Sequence, residues 1–260
     1  MVAFTEEVVD VGGTKVHTLK GGSGEPLLLL HGANGNNGWL KFVDALAEKY
    51  TVYYPSHPGY GKSERPDWLE TIPDMACFYT WYLETLGLEG VRAIGFSMGG
   101  WIASEIAAMC KHSFSKLMLV DAVGIKPNDS EIADLFIISP AQVLDLVYHD
   151  PSQVPEYQAL YGTEPTPEQT MMAESNREMA VRLCWKPYMY DPRLPSLLQR
   201  VKIPTRMVWG KNDKIVPLEC GELYNKAING SDLVVIDNCG HSPQVEKPDE
   251  FIKASLDFLA

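Results

Sequence analysis

The sequence predicts an α/β protein: a mostly parallel, eight-stranded sheet with helices on both faces and one helical insertion. Three observations carry that prediction. After an opening hairpin signal at Gly12-Gly13, short apolar runs alternate with segments of helical apolar spacing. The alternation breaks once, between about residues 124 and 195, where prolines punctuate short helix-like pieces. Between a strand-like and a helical run stands Gly95-Phe96-Ser97-Met98-Gly99-Gly100, whose glycines fit a tight strand-to-helix turn.

Taken in order, Phe4 to Lys20 holds two strand-like segments around the glycine pair. Pro26 to His31 is a buried-strand run that ends in the glycine-rich stretch Gly32 to Gly38. Trp39 to Glu48 has amphipathic helical spacing, and Tyr50 to Tyr54 reads as the next strand. Pro55 to Ser63 is turn-rich, and Ile72 to Leu86 is a helix stopped by Gly87. Val91 to Ile94, Trp101 to Met109 and Lys116 to Asp121 give strand, helix and strand. In the insertion, Ser130 to Ile138 and Glu168 to Leu183 are expected to be helical. The pattern resumes with strands at Thr205 to Trp209 and Leu233 to Asp237, and helices at Leu218 to Ala227 and Asp249 to Leu259. The expected organisation is a core domain of residues 1–123 and 196–260, with residues 124–195 as a helical cap.

At 260 residues the chain can bury a large core, and its 45% hydrophobic and 22% charged content is that of a globular protein. A formal net charge of −12 argues against nucleic acid or anionic membrane as the main partner. The five cysteines lack metal-type or CxxC spacing, so no metal site is expected and reduced thiols in a cytoplasmic setting are. No basic-then-apolar leader opens the sequence, and its apolar runs are too short to span a bilayer. A small-molecule substrate is expected, and the chain is expected to be a monomer or homodimer.

Ser97 at such a turn has the setting of a nucleophile, its hydroxyl raised above the sheet with a helix N-terminus beneath it. A serine nucleophile needs a base, and the base needs an orienting carboxylate. His241 follows the last strand and Asp213 follows the one before, so both loops open at the C-terminal edge that carries Ser97. The rival carboxylate is Asp121, at the end of the strand after the Ser97 helix; Asp213 is preferred because its strand immediately precedes that of His241. Oxyanion donors are expected from the backbone N–H of Met98 and of Ala33, with Asn34 the alternative. His31 is expected to anchor its loop.

With these residues in view, the chain resembles the α/β-hydrolase fold superfamily over nearly its whole length. The matching pieces are His31-Gly32, Pro58 to Ser63, the Ser97 turn, Trp209 to Asp213 and Gly240-His241. The resemblance implies a Ser-Asp-His triad and no cofactor. Esterases, meta-cleavage product (carbon–carbon bond) hydrolases and cofactor-free haloperoxidases share the pattern. A serine at position 97 departs from haloalkane dehalogenases and epoxide hydrolases, which use aspartate there. Carbon–carbon hydrolases usually carry Asn before the nucleophile and Trp after the histidine; here Phe96 and Ser242 stand there. Carboxylic ester hydrolysis is therefore the expected activity, with carbon–carbon cleavage second and a non-catalytic ligand receptor on the same fold third. Ser56 stands where such loops often have Asp, and His57 beside it is expected on the surface or in a supporting role. Asn34, Phe96, Met172, Trp185 and Tyr188 are candidates for substrate contact. Arg177 and Arg182 are candidate ligands for a substrate carboxylate, with a solvated helix face the commoner place for such residues.

Overall fold

Eight strands form one sheet in the spatial order β1-β2-β4-β3-β5-β6-β7-β8. They are β1 (Phe4–Val11), β2 (Thr14–Gly21), β3 (Pro26–Leu30), β4 (Thr51–Pro55), β5 (Val91–Phe96), β6 (Phe114–Val120), β7 (Thr205–Gly210) and β8 (Asp232–Ile236). This computed structural model describes residues 2–260. β1 to β2 and β2 to β4 are antiparallel, and all other pairings are parallel. The helices are α1 (Lys41–Ala47), α2 (Ile72–Thr85), α3 (Met98–Met109), α4 (Pro140–Val147), α5 (Tyr157–Tyr161), α6 (Pro167–Cys184), α7 (Leu194–Leu198), α8 (Leu218–Ala227), α9 (Pro243–Glu246) and α10 (Pro248–Leu259).

The inner strands are apolar on both faces because helices cover both faces. In β3, Leu28 and Leu30 join the core under α2 and α3, whereas Leu27 and Leu29 join the core under α1 and α10. β5, β6 and β7 divide their side chains in the same way. Each such leucine contributes about 2 kcal/mol of burial. A one-residue slip would trade one apolar face for another, so side-chain shape and the loops set the register.

The insertion differs from expectation at one point. Residues 130–138 are not helical; α4 begins only at Pro140, where Ser139 and Gln142 form a capping box with proline in the first turn. The earlier stretch satisfies its backbone through distant side chains. The Glu219 carboxylate of α8 accepts the amides of Asn128, Asp129 and Ser130. The Tyr188 hydroxyl donates to the Ala133 carbonyl at 2.6 Å and accepts from the Leu135 amide at 2.8 Å. Helix α6 lies close to its expected bounds and docks onto two loops at the C-terminal edge. Its buried Asn176 accepts from the Gly61 amide at 3.0 Å and donates to the Asn34 carbonyl at 3.1 Å. Among the described residues no helix is long and apolar enough to cross a membrane.

Candidate active site

The turn from β5 into α3 holds Ser97 at φ 49° and ψ −114°, a left-handed conformation that costs a non-glycine residue about 1–3 kcal/mol. The surroundings fix it there. Its amide donates to the Val120 carbonyl at 2.8 Å, and its own carbonyl accepts from Gly100 at 3.0 Å and Val123 at 3.3 Å. The flanking glycines are needed for space: a Cβ on Gly95 would lie 2.4 Å from the Gly99 carbonyl oxygen, and one on Gly99 would lie 2.0 Å from that of Leu30. Met98 opens α3, so its N–H is among the first-turn donors that the helix leaves unused.

The loop after β3 comes up against the serine. A Cβ on Gly32 would stand 3.2 Å from the Ser97 Cβ and 3.9 Å from its Oγ. Ala33 is half-buried there, and Asn34 is exposed. The loop rests on a buried aromatic cluster that also defines its tautomers. His31 Nε2 accepts the His57 backbone N–H at 2.9 Å, so its proton sits on Nδ1, 2.7 Å from the Gly32 carbonyl. His57 Nε2 donates to the His31 carbonyl at 2.8 Å, and its Nδ1 accepts from the Tyr79 hydroxyl at 2.5 Å. The two imidazoles lie tilted at 33° to each other with centroids 3.6 Å apart, and Tyr60, edge-on to both, reaches Met98 Sδ at 3.6 Å. Burial pulls the His31 pKa down to about 4 and holds that of His57 well below its ordinary value, the neighbouring His31 adding to the second shift. His31 thus anchors the loop, whereas His57 is wholly buried and not on the surface.

Asp213 and His241 meet. His241 Nδ1 donates to Asp213 Oδ2 at 2.7 Å, and the other carboxylate oxygen accepts the amides of Ile215 at 2.8 Å and Val216 at 2.9 Å. The Asp213 side chain is fully shielded from solvent, and that of His241 is 10% exposed. With its proton on Nδ1, the imidazole keeps Nε2 as a base. Asp121 is a near neighbour. One of its oxygens accepts the Gly210 amide at 2.9 Å, and Oδ2 has no hydrogen-bond partner among the described residues. Burial raises its pKa well above the usual carboxyl range; the adjacent Asp213 adds to the rise, and Glu246 adds less. The charged form of Asp121 is thereby disfavoured, which makes it a weaker electrostatic partner for an imidazolium than an ordinary carboxylate. Ligand atoms of Asp121, Asp213 and His241 lie within 4.8 Å of one another, the one metal-like grouping among the described residues. A metal there would have to displace the proton shared by His241 and Asp213.

The candidates for substrate contact separate. Phe96 turns into the core under α1 and α10, edge-on to Phe42 at 5.5 Å and tilted against Phe251 at 5.9 Å, instead of facing the serine. Tyr188 is engaged by backbone through its hydroxyl and packs edge-on to Phe136 at 5.3 Å. Trp185 and Met172 are exposed. Arg177 donates to the carbonyls of Phe136 and Ile138, and Arg182 pairs with Glu70 and Glu178. Sequence reasoning missed the supporting roles of Tyr79, Asn176 and Glu246, which no local pattern announces.

A family model described as the alpha/beta hydrolase fold matches residues 25–248. A 2-hydroxy-6-oxononadienedioate/2-hydroxy-6-oxononatrienedioate hydrolase from Paraburkholderia phymatum is 30% identical over 99% of this chain and 96% of its own length. A monoacylglycerol lipase from Mus musculus is 26% identical over 90% of this chain and 75% of its own. Among solved structures, the 2-hydroxy-6-oxo-6-phenylhexa-2,4-dienoate hydrolase of Rhodococcus sp. strain RHA1 superposes with a TM-score of 0.81 at 24% identity. That match covers 100% of this chain and 99% of the other, and at this identity it speaks for the fold alone.

Proposed function

The chain belongs to the α/β-hydrolase family, and we propose that within it the protein is a serine hydrolase of small, largely apolar carboxylic esters. The observation that carries this reading is the shielded Asp213–His241 pair, on the same sheet edge as the strained Ser97. In the proposed reaction Ser97 Oγ attacks the ester carbonyl while His241 Nε2 takes its proton. The N–H groups of Met98 and Ala33 receive the tetrahedral oxyanion, each worth about 3 kcal/mol by precedent. Collapse expels the alcohol, protonated by His241, and leaves an acyl-enzyme. Water, deprotonated by the same imidazole, then releases the acid and restores Ser97. Asp213 holds the tautomer throughout. No cofactor enters the scheme.

Residues 124–195 act in this reading as a cap over the substrate. The docking of Asn176 onto the loops of Asn34 and Gly61 supports that placement. Five unpaired cysteines support a reducing, cytoplasmic home. A neutral substrate is favoured because Arg177 and Arg182, the arginines weighed as carboxylate ligands, are already engaged.

Carbon–carbon bond hydrolysis is the second reading, favoured by the dienedioate hydrolase at 30% identity. The two separate in one comparison of kcat/KM on p-nitrophenyl esters, from acetate to decanoate, and on a 2-hydroxy-6-oxo-dienoate. Ester hydrolysis predicts a preference for the best ester of about a hundredfold or more, about 2.7 kcal/mol of transition-state stabilisation. A preference for the dienoate would transfer the assignment to the second reading.

A further inference from the structure

The insertion and the loop of His241 share one buried carboxylate. Glu246 ends the single turn of α9, which starts two residues after His241 and folds back beneath Gly240. Its side chain is buried, with Oε2 accepting the Gly240 amide at 2.6 Å and Oε1 accepting the Asp150 amide at 2.8 Å. Gly240 belongs to the histidine loop and Asp150 to the insertion, just beyond α4. The two strands of chain also touch directly: the His241 amide donates to the Val147 carbonyl at 2.7 Å. A Cβ on Gly240 would stand 2.5 Å from the Val147 carbonyl oxygen and 2.8 Å from the His149 nitrogen. The insertion segment is itself stiffened, because the Asp150 carboxylate caps the turn Pro151–Gln153 by accepting from Ser152 at 3.0 Å.

We propose that Glu246 is a positioning residue that straps the insertion to the histidine loop, so that His241 is held in place from the insertion as well as from Asp213. The proposal rests on the reading of His241 as the base. Asp213 fixes the imidazole at Nδ1, but the backbone from which the ring hangs is fixed by Val147 and, through Glu246, by Asp150. A carboxylate suits this place because both of its oxygens accept, and both partners are N–H donors. Glu246→Gln keeps the length but turns an NH₂ toward one of the donors. Glu246→Asp keeps the charge but is one methylene too short to span both amides. Either change frees one side of the strap, and a displacement of His241 by about 1 Å is worth on the order of a hundredfold in rate.

The test measures kcat, KM and thermal unfolding of Glu246→Gln, Glu246→Asp and His241→Ala, with amide exchange of the intact wild-type protein followed by NMR. The strap predicts kcat lower by about ten- to a hundredfold in both Glu246 variants, with KM within about threefold. It also predicts that the Gly240 and Asp150 amides of the wild type open together, at one rate. Lower unfolding temperatures with wild-type kcat for the folded enzyme would reduce Glu246 to a structural residue and overturn the proposal. So would independent opening of the two amides, a readout that stands even if a variant fails to fold. Near-wild-type activity of His241→Ala would instead strike the reading of the base, leaving the amide result to report on the strap separately.

Discussion

Asp213 and Asp121 are two carboxyls within reach of one imidazole, and their hydrogen-bonding surroundings differ. Asp213 accepts two amides and the His241 Nδ1–H, which suits an ionised group; Asp121 accepts one amide, and its Oδ2 has no partner among the described residues. The Asp213→Asn enzyme is expected to fold and to lose kcat by roughly 10⁴-fold, because an amide cannot hold the tautomer. Asp121→Asn keeps an acceptor for Gly210 and leaves the Asp213–His241 hydrogen bond in place, so its kcat should stay within about threefold of wild type. Steady-state rates of the two variants check this, and the reverse ranking would move the acid to β6. The meeting of Asp213 with His241 was legible in the sequence from strand order alone. The raised pKa of Asp121 was not, since it comes from burial beside a second carboxylate.

The loops after β3 and β4 form one element in space, locked by His31, His57 and Tyr79. His57 reads in sequence as an oddity of a turn-rich loop, because its partner hydroxyl lies 22 residues away on α2. The lock has a pH signature. With a folded pKa of about 4 against 6.5 unfolded, His31 binds its proton more readily in the unfolded chain. Stability is therefore untouched above about pH 6.5 and falls as pH drops from there to about 4, by about 3 kcal/mol from this residue. His57, also depressed, acts in the same sense. Asp121 acts in the opposite sense: its folded pKa is raised, so the cost of burying it is relieved as pH falls through that raised value. Denaturant unfolding from pH 8 to pH 4 should show a decline in wild type and a shallower one in His57→Gln. A variant slope equal to that of wild type would show that this histidine does not titrate on unfolding.

Across the whole molecule, the parts legible in the sequence are those whose signals are local. Strand runs, the glycine-flanked Ser97 turn and the loops of Asp213 and His241 each announce themselves within about ten residues. Between β6 and β7 the break in strand–helix alternation and helix α6 were legible, but the path of residues 130–138 was not. Residues 130–138 follow a path set by Glu219, Tyr188 and Arg177, which lie 39 to 89 residues away in the chain. Glu219, Asn176 and Glu246 together pin this segment to the core, two of them at loops beside the candidate site. The proposed function turns on Ser97, held strained at the turn from β5 into α3, being the nucleophile. Treating the folded protein with a fluorophosphonate and mapping the peptides by mass spectrometry tests that most directly. A single adduct on Ser97, formed in step with loss of ester hydrolysis, is the predicted result; an adduct on another residue, or none on protein that still hydrolyses ester, would contradict it.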